Sequence, residues 1–361
     1  MRIVTTAARL TLILLGTCPG LLFMPGSAPP LAAQQSETRL HLNVNLVQLN
    51  IAVTNRKGQY ISGLRPQDFA ITEDNIPEKI ASFEEGNRPV NEVSSSSAEQ
   101  DGSARMPLLS APQPIAPEQS PPRTSGANIY ILFDTSNYMY HTFVYAQDAI
   151  IDFVRSLASE DKVAFYSFSR NLSRAAGLTT NRFDIERGVR STVAGDEDAL
   201  YNSLLLTVED AAPLLGRKAI VVFSNGPDNA SSVPPEDVAK LAESTGTIIY
   251  IISTAAAQEQ PVSMAAFERV SRTTGGIAYF ASNWRDEKKA FSSIKEDLAH
   301  LYTLTYYPRP NPNRGWRTIR VRLVGKDMEK YRVRTRDGYS LQQAATNQGN
   351  YAASGMTRDS R

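Results

Sequence analysis

From Leu40 to Val53 the stretch LHLNVNLVQLNIAV alternates apolar and polar residues. That period of two is the mark of a half-buried strand. TNRKGQYI then reads as a turn with Gly58 at its tip, and FAITEDNIPEKIASFEE predicts two short strands around a tight EDNIP turn. Residues 40–86 therefore predict the first part of a small β unit.

The pattern changes at Ala127. Continuous apolar runs (NIYILF, KVAFYSF, KAIVVFS, TIIYIIS and GIAYFA) alternate with helical stretches. The helical stretches are VYAQDAIIDFVRSLAS, RFDIERGVRS, DALYNSLLLTVEDAAPLL, PPEDVAKLAEST, MAAFERVSRTT and EKKAFSSIKEDLAHL. Within the first of them Ala149, Ile150, Phe153, Val154 and Leu157 recur at helical spacing. TIIYIIS is apolar throughout, as a strand covered on both faces should be. Strand–helix alternation over residues 127–302 predicts a doubly wound, mostly parallel sheet of Rossmann-like type.

Residues 303–341 return to β. LYTLTYYP, WRTIRVRLV and KYRVRTRDGYSL predict one strand each. Neither β segment holds enough strands for a core of its own. The two are expected to share one sandwich, with the α/β domain inserted between them. Residues 87–126, rich in Ser, Pro, Gln and Gly, predict an extended linker, and residues 342–361 a disordered tail.

Residues 1–33 change the picture of location. Arg2 and Arg9 precede LTLILLG, an apolar run of signal-peptide length, and Ala32 and Ala33 suit cleavage near Gln34. A secreted, periplasmic or cell-envelope protein is expected. GLLFM prolongs the apolar run, so an uncleaved anchor is the alternative and the only membrane attachment foreseen. Cys18 is the single cysteine and lies inside this segment. LLGTC loosely matches a lipoprotein box, but Thr17 suits it poorly. Cleavage would leave a mature chain without thiol or disulfide chemistry.

Composition excludes little else. The 361 residues suffice for two domains; 42% are hydrophobic, 21% charged, and the net charge is +1. No basic face for nucleic acid is implied.

Candidate chemistry sits where ligands sit in doubly wound sheets, beyond the C-terminal strand ends. DTSNY follows the first strand of the α/β region, FSNGPDN ends a later strand, and AGDEDALYNSL opens a helix. In this order the segments resemble a von Willebrand factor type A domain. That family's metal-ion-dependent adhesion site uses an Asp-x-Ser-x-Ser loop, a Thr before a helix and an Asp at a later strand end. The resemblance puts Asp134 and Ser136 on the loop ligands and Tyr138 where the second Ser belongs. It puts Asp198 at the Thr position and Asn225 at the Asp position. The flanking β segments, NRKGQYISGLRPQDFAITEDNIPEKIASF and YTLTYYP through YRVRTRDGYSL, resemble a bacterial, acidobacterial-type group of proteins related to this domain.

The resemblance implies a non-catalytic protein-binding or adhesion module. The altered positions imply a degenerate metal site. Tyr138 cannot place its oxygen where a Ser hydroxyl would be, Asn225 loses a charge, and Asp198 gains one. No obligatory cofactor is expected; magnesium is the ion that Asp134, Ser136, Asp198 and Asn225 would hold if any. A magnesium-dependent binding module is the first alternative. A hydrolase and a structural envelope component follow.

Other motifs carry less. His41, His141 and His300 are far apart, and neither a nucleophile elbow nor a phosphate loop of Walker type occurs. Gly275 and Gly276 in TTGG predict a helix end. Arg317, Arg320 and Arg322 are expected on a solvated strand face, with an anionic partner as the minor reading.

Overall fold

Alternation and apolar runs become two kinds of sheet. A computed structural model describes residues 46–86, 91–92, 126–140, 142–254 and 260–341. The expected signal segment, most of the linker, the tail, His41 and His141 lie outside these residues.

The first β segment forms β1 (Val47–Thr54), β2 (Phe69–Glu73), β3 (Ile76–Glu78), β4 (Ile80–Glu85) and β5 (Asn91–Glu92). The α/β region forms β6 (Asn128–Asp134), α1 (Phe143–Ser156), β7 (Lys162–Phe168), β8 (Leu172–Thr179), α2 (Arg182–Arg190), α3 (Leu200–Ala211) and β9 (Lys218–Ser224). It continues with α4 (Pro235–Thr245), β10 (Thr247–Ser253), α5 (Pro261–Thr273), β11 (Ala278–Phe280) and α6 (Trp284–His300). The last segment forms β12 (Tyr302–Tyr306), β13 (Trp316–Leu323), β14 (Arg332–Arg334) and β15 (Gly338–Ser340).

The central sheet runs β11-β10-β9-β6-β7-β8, parallel except for β8. Its strand residues alternate between two cores, as a sheet with period two requires. Ile129, Ile131 and Phe133 pack towards α1, α2 and α6 with Ile150, Ile185 and Phe291. Tyr130 and Leu132 pack towards α3, α4 and α5 with Leu204, Val238 and Phe267. β8 was not foreseen. Its residues LSRAAGLT bury only Ala176, so an edge strand of this kind has no apolar signature.

The flanking segments pair across the insertion. One sheet runs β14-β1-β12-β4-β5 and the other β15-β13-β2-β3. β12 lies antiparallel between β1 and β4, with Leu304 opposite both Leu49 and Phe83. Between the sheets lie Leu49, Ile51, Phe69, Ile71, Phe83, Tyr302, Leu304 and Tyr306.

Several expectations need correction. FAITEDNIPEKIASFEE makes three strands, not two. Asp74 and Asn75 form the tight turn at positive φ, which Asp and Asn tolerate best, and Pro77–Lys79 bends the chain from one sheet into the other. KYRVRTRDGYSL makes two strands in different sheets, because β14 pairs with β1 and β15 with β13. Asn91 and Glu92, expected in the linker, pair with Phe83 and Ser82. Arg317 is not solvated. It lies on the inner face with Ile319 and pairs with the fully buried Glu73 at 2.6 Å. Period two separates it from the exposed Arg320 and Arg322, which share the opposite face.

The sandwich is docked on the α/β region through polar contacts. Arg334 donates to both oxygens of Asp297, at 2.5 and 2.6 Å, and to the Gly275 carbonyl. Tyr60 stacks on His300. Gly275 ends α5 at φ +86°, as the TTGG motif implies, and a Cβ on Gly276 would lie 2.0 Å from the Ile249 carbonyl oxygen. Among the described residues no helix is long and apolar enough to cross a membrane.

Candidate functional site

The parallel sheet reverses its winding between β6 and β9, and this is where such sheets offer a crevice. Asp134 ends β6 there, Ser224 ends β9 beside it, and the β6 turn continues into a 3-10 turn over Asn137–Met139. The buried Met139 anchors that turn in the core behind it. Thr135 holds it to β7 by donating from its N–H and its hydroxyl to the Phe168 carbonyl, at 2.7 and 2.8 Å.

Asp134 is fully buried. Its Oδ1 accepts from the Ser136 N–H and its Oδ2 from the Ser224 hydroxyl, both at 2.8 Å. Asp198 approaches from the start of α3, also fully buried. Its Oδ1 accepts from the Leu200 N–H at 3.0 Å. Its backbone is gripped by Asn229, whose side chain accepts from the Asp198 N–H, and the Asn229 and Ala230 N–H groups donate to the Asp198 carbonyl.

The two carboxyls lie near enough to perturb one another's ionisation. Burial, and then the charge of Asp134, pushes Asp198 up to about 10. Burial also raises Asp134, against the hydrogen bonds that it accepts. Two desolvated acids this close do not both ionise without a compensating cation.

Four of the five foreseen residues are buried: Asp134 and Ser136 after β6, Asn225 after β9 and Asp198 before α3. Ser136 Oγ, Asp198 Oδ2 and both amide atoms of Asn225 are buried without a hydrogen-bond partner. Such atoms in one polar crevice call for water or an ion. Tyr138 is the exception. It lies on the 3-10 turn and is 48% exposed, so its phenol supplies no ligand oxygen to the buried group. Tyr140, Val144 and Tyr145, on the same turn and at the start of α1, are exposed as well.

The donors present suit a hard cation in kind, since carboxylate, hydroxyl and amide oxygens are what magnesium takes. Two of them are carboxylates. Among the described residues no group of three or more His, Cys, Asp or Glu gathers as a metal site.

Three contributors were missed in the sequence. Ser224 fixes Asp134. Asp228 accepts from the Tyr201 and Ser231 N–H groups at 2.9 and 2.8 Å, and so caps α3 from a neighbouring loop. Asn229 holds Asp198. The clue was SNGPDNASS itself, a run of Asn, Asp and Ser whose short side chains habitually bond nearby main chain.

This fold is that of a von Willebrand-type α/β domain. Residues 128–293 match the von Willebrand factor type A domain family, and the chain carries such a domain there. Domains of this class are in general binding modules. Solved structures are similar to part of the chain at low identity. BatB, a conserved hypothetical protein from Bacteroides thetaiotaomicron, is 16% identical over 48% of this chain and 97% of its own, with a TM-score of 0.41. The vWF domain of the type V pili tip protein Mfa5 from Porphyromonas gingivalis is 10% identical over 47% of this chain and 94% of its own, TM-score 0.41. Proximal thread matrix protein 1 from the mussel byssus, with a zinc-occupied MIDAS motif, is 14% identical over 52% of this chain and 48% of its own, TM-score 0.41. No curated protein matches the sequence.

Proposed function

We propose that the chain is an exported, non-catalytic protein-binding module of the adhesion type, whose crevice is a remodelled metal site that holds magnesium weakly or not at all. One observation carries this reading. Tyr138, at the position of a ligand hydroxyl, is turned half into solvent beside the exposed Tyr140, Val144 and Tyr145. The rim thus offers aromatic contact area where the family offers another metal ligand. Tyrosines suit that purpose, because they bring large rigid area at little entropic cost.

A bound ion would be held by Asp134, Ser136, Asp198 and Asn225, and would supply an electropositive point for a partner's carboxylate. Without one, burial and the charge of Asp134 favour a proton on Asp198, so the crevice carries less negative charge than two carboxylates would. Among the described residues no histidine joins Asp134 and Asp198, and the reading favours binding over hydrolysis. His300, the histidine among the described residues, stacks on Tyr60 at the far end of α6.

A second reading, a magnesium-dependent module, is favoured by the unpartnered oxygens of Ser136, Asp198 and Asn225. Calorimetric titration of the chain with magnesium, manganese and calcium separates the two. Weak or undetectable heats support the first reading. Micromolar magnesium affinity that Ser136→Ala abolishes would establish the second. Capture of envelope proteins should survive EDTA and fall in the Tyr138→Ala/Tyr145→Ala variant; the opposite result would defeat the aromatic-rim proposal. N-terminal sequencing of exported material should find a start near Gln34.

A further inference from the structure

A second recognition feature lies on the sandwich, away from the head of the α/β sheet. β13 exchanges main-chain bonds with β2 through its even-numbered residues. The Asp74 N–H donates to the Thr318 carbonyl at 2.8 Å, and the next turn's Val324 N–H donates to the Asp68 carbonyl at 2.9 Å. In an antiparallel pair the odd-numbered residues must then direct their N–H and C=O groups to the other edge. On that edge β15 covers only Trp316–Thr318, and the last bond is from the Ile319 N–H to the Asp337 carbonyl at 2.9 Å. The returning chain then swings away, because Arg332–Arg334 pairs with β1 in the opposite sheet. Among the described residues no main-chain bond reaches Val321 or Leu323 from this side.

The splaying leaves a groove of about 410 Å³ between β13 and residues 333–337, with Arg272 of α5 on its wall. Its lining is strongly one-signed. Arg272, Arg320, Arg322, Arg334 and Arg336 face one acid, Asp337. Asp297 neutralises Arg334. Among the described residues Arg272, Arg320 and Arg322 have no carboxylate within ion-pair distance; Arg320 donates to the Asn75 side chain at 3.2 Å. Arg336 donates to the carbonyls of Glu243 and Gln48, and its Nε is buried without a partner, as is Thr335 Oγ1.

Open strand edges are normally guarded, since they invite pairing with other chains. Like charges along this edge do guard it against a second copy of itself. The same charges favour a strand of opposite sign, through cross-strand ion pairs and long-range attraction. We propose that this groove is a strand-addition site for an extended acidic segment of a partner protein. The incoming strand bonds the free main-chain groups of Val321 and Leu323, as in other cases of sheet augmentation. Its side chains alternate. Those on the outer face meet Arg320 and Arg322 and are acidic. Those between them lie over the inward-facing Val321 and Leu323 and are apolar. The recognised pattern is acidic–apolar–acidic, with carboxylates two residues apart. Arg272 extends the basic wall beyond that pair.

The test uses the full chain and a labelled octapeptide of alternating Glu and Val, followed by fluorescence anisotropy. Saturable binding is expected, weakened in about 0.5 M salt, where charges are screened over roughly 4 Å. Arg320→Glu/Arg322→Glu should lower affinity about tenfold or more, the worth of losing one charge-assisted bond. Arg320→Ala/Arg322→Ala should lower it less, and circular dichroism should show both variants folded, because both side chains stand on the exposed face. Methylating the valine nitrogens of the peptide removes main-chain donors without touching its charge, and should cost a similar factor. No saturable binding up to roughly 1 mM overturns the proposal, including the case in which the chain's own residues fill the groove. Equal binding of the methylated peptide, or of polyphosphate, overturns it too, because the site would then attract anions without adding a strand.

Discussion

Arg317→Met should strike the sandwich where its two sequence segments are tied. Arg317 Nη1 donates to Glu73 Oε1 at 2.6 Å, while Tyr306 and Tyr339 each donate a hydroxyl to Glu73 Oε2 at 2.9 Å. Arg317 also donates to the Asn313 and Asn311 carbonyls, at 3.1 and 3.4 Å. Glu73 is wholly buried. Removing one partner of a buried ion pair costs about 3–5 kcal/mol, because a charge is left uncompensated in low dielectric. The two tyrosines remain, and bonds to a charged acceptor hold about 1.5–3 kcal/mol each, so the lower end is expected, about 3 kcal/mol. With a urea slope of about 2 kcal/mol per M, the midpoint should fall by about 1.5 M. The chain has two tryptophans, Trp284 at the start of α6 and Trp316 in β13. In a Trp284→Phe background the fluorescence of Trp316 therefore follows the sandwich alone. Glu73→Gln/Arg317→Met keeps an acceptor for the tyrosines and removes the stranded charge, so it should recover more than half of the loss. A loss below about 1 kcal/mol at unchanged slope, or a double variant no better than the single, would mean that Glu73 is not held as a buried charge by this pair.

Other outcomes follow from the same geometry. Tyr138→Ser/Asp198→Thr/Asn225→Asp should restore a full set of ligand oxygens and raise magnesium affinity at least about tenfold in calorimetry; an unchanged isotherm would mean that the crevice cannot be rebuilt from these positions. Asp228→Ala removes the acceptor for the Tyr201 N–H at the start of α3 and for the Ser231 N–H in its own loop, and should cost about 1–2 kcal/mol in chemical denaturation. Gly276→Ala forces a Cβ against the Ile249 carbonyl and should cost about 1–3 kcal/mol; a neutral effect would refute the close approach. Burial, and then the charge of Asp337, pushes Glu243 up to about 8 from its ordinary 4.5. The unfolded chain loses that proton first, so its contribution to stability declines as pH rises from about 4.5 to about 8. Glu243→Gln should flatten the decline between pH 5 and 8, and denaturation midpoints that keep the wild-type slope would assign it to other groups.

Much of the architecture was legible because burial on two faces leaves a plain trace. NIYILF and TIIYIIS are uninterrupted apolar runs, and both became central strands. β8 left no trace, because a sheet edge needs main-chain pairing but little apolar surface. Arg317 was misjudged by grouping it with Arg320 and Arg322, although odd and even positions of one strand face opposite ways. At the crevice, Asp134, Ser136, Asp198 and Asn225 were named through the family resemblance, from polar segments after two strands and before one helix. The half-exposed attitude of Tyr138 was not, because the 3-10 turn that aims it depends on Met139 reaching the core. For Ser224, Asp228 and Asn229 the run SNGPDNASS signals local bonding, but not that their partners include Asp134, Tyr201 and Asp198, far away in sequence.

The interleaving of the two β segments also sets a timetable. β4 ends at Glu85, and the strand that must sit between it and β1 begins at Tyr302. At ribosomal rates of about 5–20 residues per second, the first segment waits roughly ten to forty seconds for its missing neighbour. The α/β region, whose strands and helices lie between those two points, has everything it needs earlier. During the wait β1 and β4 hold open the gap that β12 will fill, with Leu49, Ile51 and Phe83 uncovered. A newborn chain stalled before Tyr302 is therefore half finished in a specific way: its α/β region is complete and its sandwich is a pair of adhesive edges. Chaperone demand, and the harm done by truncation, should both rise sharply at that one point in synthesis.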